Sequence, residues 1–267
     1  MKTKQIIYQV DAFTDKPFRG NPAGVCILND EPSAGWMQNI AMEMNLSETA
    51  FVFPGKKDEK IIRFFTPEAE VPLCGHATLS ASHILYETGM IGGNEEITFS
   101  SRSGNLMIRK ESDWITMNFP ADTLKKTGDL SDFIKATGLH PAELYETGKF
   151  WSLALMKDEN EVRRASPDFM KMKNSKYNDL IITAASEDKS YDYCIRCFAP
   201  GVGINEDPVT GSAQCALAPF WNQKTGKNDF VCHQVSKREG ILKVALKGDR
   251  VDISGQAVTM FRAELLV

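Results

Sequence analysis

Arg63-Phe64-Phe65-Thr66-Pro67, followed by Gly75-His76-Ala77, returns later in the chain as Arg196-Cys197-Phe198-Ala199-Pro200, followed by Gly211-Ser212-Ala213. The arginines, the phenylalanines at 65 and 198 and the prolines stand 133 positions apart, and the Gly-X-Ala triplets 136. The second copy therefore holds three extra residues between its proline and its glycine, and Gly89 and Gly226 close the two units. A strand, a loop and a helix start repeated in order are the mark of a duplicated supersecondary unit. With the halves related by an approximate two-fold, the two loop-to-helix junctions are expected to face one another across a cleft. Each offers unpaired backbone N–H groups and the positive end of a helix dipole. Such a pair of junctions suits a small anion.

Working outward, the pattern predicts a mixed α+β chain in which strands dominate. Alternating or β-branched and aromatic runs place strands at Gln5–Phe13, Gly24–Leu28, Thr49–Phe53, Ile61–Thr66, Glu96–Ser100, Asn105–Lys110 and Trp114–Phe119. The second half adds Trp151–Met156, Leu180–Ala184, Asp192–Ala199, Phe230–Gln234, Leu242–Leu246, Arg250–Ser254 and Val258–Leu265. Helices are predicted over Ser33–Met44, His76–Glu87, Asp129–Thr137, Pro167–Met172 and Ser212–Lys224. In the second and last of these, small residues (Ala77, Ser80, Ala81, Ser82; Ala213, Cys215, Ala216, Ala218) leave no strongly polar face, which marks a buried helix. Each half thus reads as a sheet curled round one central helix. Pro, Asp, Lys and Gly concentrate near Pro120–Gly128, the expected linker. Pro219 is expected to kink or shorten the second central helix, because it removes a backbone donor.

The 267 residues, 42% of them hydrophobic, suffice for two modest cores. A net charge of -4, a pI near 5.7 and the lack of a Lys/Arg cluster argue against nucleic acid or an acidic membrane surface as partner. No apolar stretch approaches membrane-spanning length, and Met1-Lys2-Thr3-Lys4 leads into a strand-like run without a signal-type apolar region, so the cytoplasm is the expected compartment. The six cysteines (Cys26, Cys74, Cys194, Cys197, Cys215, Cys232) are expected to be reduced thiols. Cys194 and Cys197 have zinc-like spacing but no second pair, and in a strand residues three apart point to opposite faces. No metal site is expected, since zinc ligands must converge on one point.

Four polar residues stand where chemistry would need them. Glu48 enters the apolar strand Thr49-Ala50-Phe51-Val52-Phe53. It reads either as a solvated strand-end charge or as an acid whose apolar neighbours raise its pKa and suit it to moving protons. His76 opens the first central helix. Asp207, four residues before Gly211, is a turn or cap residue on one reading and a functional carboxylate on the other. Ser212, the counterpart of His76 in the repeat, can cap its helix or bind substrate.

Asp11-Ala12-Phe13-Thr14-Asp15-Lys16-Pro17-Phe18-Arg19-Gly20-Asn21-Pro22-Ala23-Gly24-Val25, then Asn45-Leu46-Ser47-Glu48-Thr49-Ala50-Phe51, then Arg63 to Thr78, then Asp207-Pro208-Val209-Thr210-Gly211-Ser212-Ala213, together resemble the phenazine-biosynthesis PhzF-like family. Four motifs in order, from the first strand to beyond the second central helix, are far more specific than any one. The resemblance implies the diaminopimelate epimerase-like fold, with two pseudo-symmetric domains, each a barrel-like, mostly antiparallel sheet around a central helix, and the active site between them. Residues 1–119, completed by the last strand at about 257–267, form the first domain and 120–256 the second. It further implies cofactor-independent proton transfer, an isomerisation, tautomerisation or epimerisation, on a small carboxylate-bearing substrate, and a homodimer. Glu48 matches the family's general acid/base, and His76, Asp207 and Ser212 match residues that assist it or hold substrate, with Gly75 and Gly211 at the junctions. Two alternatives stay open. One is a two-thiol racemase using Cys74 and Cys215, against which Thr210 fills the slot equivalent to Cys74. The other is a non-catalytic small-molecule binder that keeps the fold.

Overall fold

The computed structural model describes residues 5–56, 59–93 and 95–267. The chain divides into two units, Met1–Asn118 with Ser254–Val267, and Phe119–Ile253.

In the first unit the strand-forming runs give β1 (Gln5–Ala12) and β2 (Asn21–Ile27). Helix α1 (Ala34–Met44) follows, its first turn capped by the Ser33 hydroxyl, which accepts the Trp36 N–H, and its end closed by Asn45 in the left-handed region. Then come β3 (Glu48–Pro54), β4 (Lys60–Phe65), the short β5 (Glu70–Val71), helix α2 (Gly75–Glu87), β6 (Ile97–Ser101), β7 (Gly104–Glu111) and β8 (Trp114–Pro120). The sheet runs in the order C-terminal strand, β1, β2, β3, β4, β6, β7, β8. The β2–β3 and β4–β6 pairs are parallel and the others antiparallel. Gly24 lies opposite Thr49 in the β2–β3 pair, where a Cβ would come within 2.7 Å of the Thr49 hydroxyl, so only glycine fits there. Phe51, Phe53, Phe65 and Cys26 pack with Met37, Ile40 and Ala41 of α1. Helix α2 packs against β1, β2 and β3, with His76 to Ser82 and Ile84 to Tyr86 all buried. Each of Leu79, Ile84 and Leu85 contributes about 2 kcal/mol by leaving water.

The second unit carries β9 (Leu124–Thr127), α3 (Ser131–Thr137), β10 (Glu143–Thr147), β11 (Ser152–Leu155), α4 (Glu159–Arg164), α5 (Phe169–Lys173), β12 (Leu180–Ala185) and β13 (Tyr193–Ala199). A 3₁₀ turn (Pro200–Val202), β14 (Ile204–Asp207), α6 (Gln214–Thr225), β15 (Asp229–Gln234), β16 (Gly240–Lys247) and β17 (Arg250–Gly255) complete it. The last strand, β18 (Ala257–Leu265), is the one that pairs with β1. Here the order is β9, β10, β11, β12, β13, β15, β16, with β11–β12 and β13–β15 parallel. Phe133, Val162, Met172 and Phe198 share a core on one face. On α6, Trp221 stacks on Tyr193 and donates to the Thr183 hydroxyl, while the Tyr193 hydroxyl donates to Gln214.

The two units have one topology. Strands β1 to β4, β6 and β7 correspond to β10 to β13, β15 and β16, with parallel pairs at the same places and α2 answering to α6. The repeated arginines do the same work in each. Arg63 makes a two-pronged contact with Glu70 (2.8 and 2.7 Å) over the Phe65 ring, and Arg196 makes one with Glu206 (2.6 and 3.0 Å) over the Phe198 ring. The pairs Arg63–Glu70 and Arg196–Glu206 bracket the three-residue difference, which the 3₁₀ turn Pro200–Val202 absorbs.

Three expectations are corrected. The Pro120–Gly128 segment is not a bare linker, because β9 forms within it and pairs with β10, giving its backbone a partner. Pro219 does not shorten α6, which runs on to Thr225. A proline leaves the carbonyl four residues earlier without its helical donor, and here the Cys215 carbonyl accepts the Asp122 N–H instead, at 2.8 Å. Helix α6 starts at Gln214 rather than Ser212. A tight turn precedes it, with Gln214 and Cys215 donating to the carbonyls of Gly211 and Ser212, and no side chain caps it. Among the described residues no helix is long and apolar enough to cross a membrane.

Candidate active site

Glu48 takes the first position of β3 because α1 ends at Met44 and Asn45 turns the chain, so the carboxylate enters the sheet beside Ala23 of β2. The side chain remains 17% exposed. His76 lies in the first turn of α2 and is buried, with Nε2 3.3 Å from Glu48 Oε2. Cys74, the residue before the helix, is buried too, with Sγ 3.4 Å from the other ring nitrogen, Nδ1. Burial pushes the His76 imidazole down from 6.5 to about 4, so the ring is neutral near pH 7 and its 3.3 Å contact with Glu48 is not an ion pair. The tautomer that serves both neighbours carries its proton on Nε2 for Glu48 and accepts the Cys74 S–H on Nδ1. Thiol, imidazole and carboxylate thus stand in one row of polar contacts.

Helix α2 has no side-chain cap, and neither has α6, whereas Ser33, Asp158 and Asp168 cap α1, α4 and α5. The first N–H groups of α2 have no partner within the helix, whereas those of α6 donate to carbonyls of the turn before it. Gly75 is half-buried, and a Cβ built there meets nothing within 4 Å, so packing does not demand glycine at this junction.

The second unit's junction is held differently. Thr210 donates its hydroxyl to Asp207 Oδ2 at 2.5 Å. Gln234, fully buried at the end of β15, accepts the Thr210 N–H (2.8 Å) and donates to the Asp207 carbonyl (2.8 Å) and the Thr210 hydroxyl (3.2 Å). The Ser236 hydroxyl donates to the Pro208 carbonyl at 2.6 Å. Sequence reasoning missed Thr210, Gln234 and Ser236 as supports. The available signal was Gln234, a polar residue closing the apolar-rich strand Phe230-Val231-Cys232-His233. Gly211 is buried and Ser212 exposed, and it is the Ser212 carbonyl, not its hydroxyl, that bonds into the turn. The structure therefore brings Glu48, His76 and Cys74 together in the first unit, and Asp207, Thr210 and Gly211 together in the second.

All six cysteines are reduced and buried. Cys194 joins the core that contains Phe198, while Cys197 on the opposite face of β13 pairs in register with Asp207, so the two thiols do not converge. Cys215 lies in the first turn of α6, and burial raises its thiol to about 11.

Residues 10–263 match the sequence pattern of the phenazine biosynthesis-like proteins. An uncharacterised isomerase of Halalkalibacterium halodurans is 44% identical over 262 residues, 98% of each chain. The chain belongs to the phenazine biosynthesis-like family. The crystal structure of a PhzF-family protein from Enterococcus faecalis superposes with a TM-score of 0.93 at 34% identity, covering 99% of this chain and all of that one. A predicted epimerase from Pseudomonas aeruginosa shares the fold at a TM-score of 0.77 and 22% identity, over 98% of this chain and 99% of that one. The protein is thus a PhzF-like isomerase with the diaminopimelate epimerase-like fold.

Proposed function

We propose that this isomerase moves a proton between two positions of a small carboxylate-bearing molecule, with Glu48 as general acid/base. The observation that carries this reading is the partly accessible Glu48 carboxylate 3.3 Å from a buried neutral imidazole. A carboxylate so placed removes a proton from a carbon made acidic by an adjacent carboxyl group or double bond and returns it to another carbon of the same bound molecule. His76 holds the carboxylate's orientation through Nε2–H. The uncapped N–H groups after Cys74 favour a substrate carboxylate and the negative charge that develops beside it. Asp207 and Ser212 are assigned to holding the substrate, and Gly75 and Gly211 to keeping the junction backbones open to it. This chemistry calls for no redox cofactor or metal.

The two-thiol racemase is not supported. A base must be largely ionised or readily deprotonated, and the Cys215 thiol is held in the opposite condition.

The test is deuterium exchange in D2O over a panel of amino acids and cyclic hydroxy or amino carboxylates, read by mass. A substrate that gains deuterium with the parent and not with Glu48→Gln supports the assignment. Undiminished exchange by Glu48→Gln would reduce Glu48 to a strand-end charge.

A further inference from the structure

The row of Cys74, His76 and Glu48 has a property that proton transfer does not use: each side chain offers a metal-ligating atom, and the three atoms lie within 4.8 Å of one another. His76 Nε2 is 3.3 Å from Glu48 Oε2 and 3.9 Å from Cys74 Sγ. A tetrahedral Zn²⁺ with ordinary bonds to nitrogen, oxygen and sulfur sets its ligand atoms about 3.4–3.6 Å apart. The thiol is nearer Nδ1, at 3.4 Å, and stands within 4.8 Å of the carboxylate, so gathering the three atoms on one ion takes a rotation of the Cys74 side chain besides smaller shifts of the other two. One thiolate, one imidazole and one carboxylate also balance the charge of a divalent ion, which matters where Cys74 and His76 are buried. Sulfur and imidazole nitrogen select zinc over magnesium or calcium.

We propose that Cys74, His76 and Glu48 bind one Zn²⁺, and that the bound ion blocks the site by occupying the lone pair with which Glu48 would accept a proton. Binding releases the Cys74 thiol proton to solvent and moves the His76 proton from Nε2 to Nδ1, freeing Nε2 to ligate, with no change of oxidation state. Three protein ligands leave a fourth position open, where water or a substrate carboxylate completes the tetrahedron. The inhibition clause rests on the assignment of Glu48 as acid/base; the metal site itself does not.

The experiment uses the full chain, stripped with a chelator and titrated with ZnCl₂ against a chromophoric zinc indicator, with CoCl₂ as a spectroscopic substitute. One equivalent bound, a thiolate-to-cobalt charge-transfer band, proton release that scales with buffer ionisation heat, and a zinc absorption-edge spectrum showing one sulfur and otherwise lighter neighbours are expected. Cys74→Ser and His76→Asn should each weaken zinc binding on the order of a hundredfold. No binding tighter than that of magnesium, a coordination shell with no sulfur or with two, or unchanged affinity in both folded variants overturns the site. The absorption-edge spectrum of the parent decides even where a variant does not fold. Zinc bound through these three residues with deuterium exchange unimpaired would overturn the assignment of Glu48 and the inhibition clause while the metal site stands. Loss of exchange in Glu48→Gln without zinc binding would do the reverse.

Discussion

Glu48, His76 and Cys74 are separated by up to 28 positions in the chain, yet their functional atoms share one small volume. The carboxylate is fixed by the start of β3 and the other two by the start of α2. Replacing Glu48 with glutamine keeps volume and hydrogen bonding but removes the transferable proton. The rate of exchange should fall on the order of a hundred- to ten-thousand-fold, with the thermal unfolding midpoint within a few degrees of the parent's. Cys215→Ser should retain most activity in the same assay; near-complete loss would restore the two-thiol mechanism. His76 also marks stability. As pH falls through 6.5 the unfolded chain takes up a proton at this residue, while the folded chain does so only near 4. The unfolded state therefore binds more protons across that window, and stability declines as pH falls, by roughly 3 kcal/mol for this group. Denaturant titrations from pH 7 to 4 should show a shallower decline in His76→Gln than in the parent, and parallel curves would refute the burial argument.

At the scale of elements, the repeated arginines act as fasteners between a long strand and the hairpin strand beside it. They are not equal. Arg196 also donates to the carbonyls of Val162, Arg163 and Ala165 at the end of α4, so its removal leaves Glu206 and a helix terminus without their partner. Glu70 by contrast keeps Arg102, 2.8 Å away, when Arg63 is removed. Arg196→Ala should cost about 3 kcal/mol or more and Arg63→Ala about 1 kcal/mol less, measured by urea unfolding. Equal losses would assign the extra bonds of Arg196 no weight. The repeat of the arginines and phenylalanines was legible in the chain because identical local roles preserve identical residues. Their glutamate partners were not, because Glu70 and Glu206 become neighbours of those arginines only when the β4–β5 and β13–β14 hairpins close. Strands β5, β9, β10 and β14 and helix α4 escaped the reading for a related reason. Short polar segments such as Leu124–Thr127 gain their extended form from a pairing partner rather than from their own pattern.

At the scale of the whole molecule, the first unit is discontinuous in sequence, its two segments joined through the β1–β18 pairing, which runs from Gln5↔Leu265 to Ala12↔Ala257 with one bulge. Ending the chain after Gln256 would strip one edge of β1 of its partners. The shortened protein should lose several kcal/mol of stability and aggregate through the bared edge; an unchanged, monodisperse unfolding transition would show that β18 is dispensable. Gly75→Val and Gly211→Val test the two junctions. Each should weaken binding of a carboxylate ligand, read by calorimetry, more than it lowers the unfolding midpoint, and an ester analogue should bind the parent poorly. The sequence by itself determined the duplication and the alternation of strands and buried helices, because these follow from local pattern and spacing, and it singled out Glu48, His76, Asp207 and Ser212 through the motifs that resemble the family's. The grouping of Cys74 with His76 and Glu48, the support of the second junction by Gln234, the capture of the Cys215 carbonyl by Asp122 and the start of α6 at Gln214 were decided only in the tertiary structure. Each depends on which segments distant in the chain come to pair, and no local pattern encodes that.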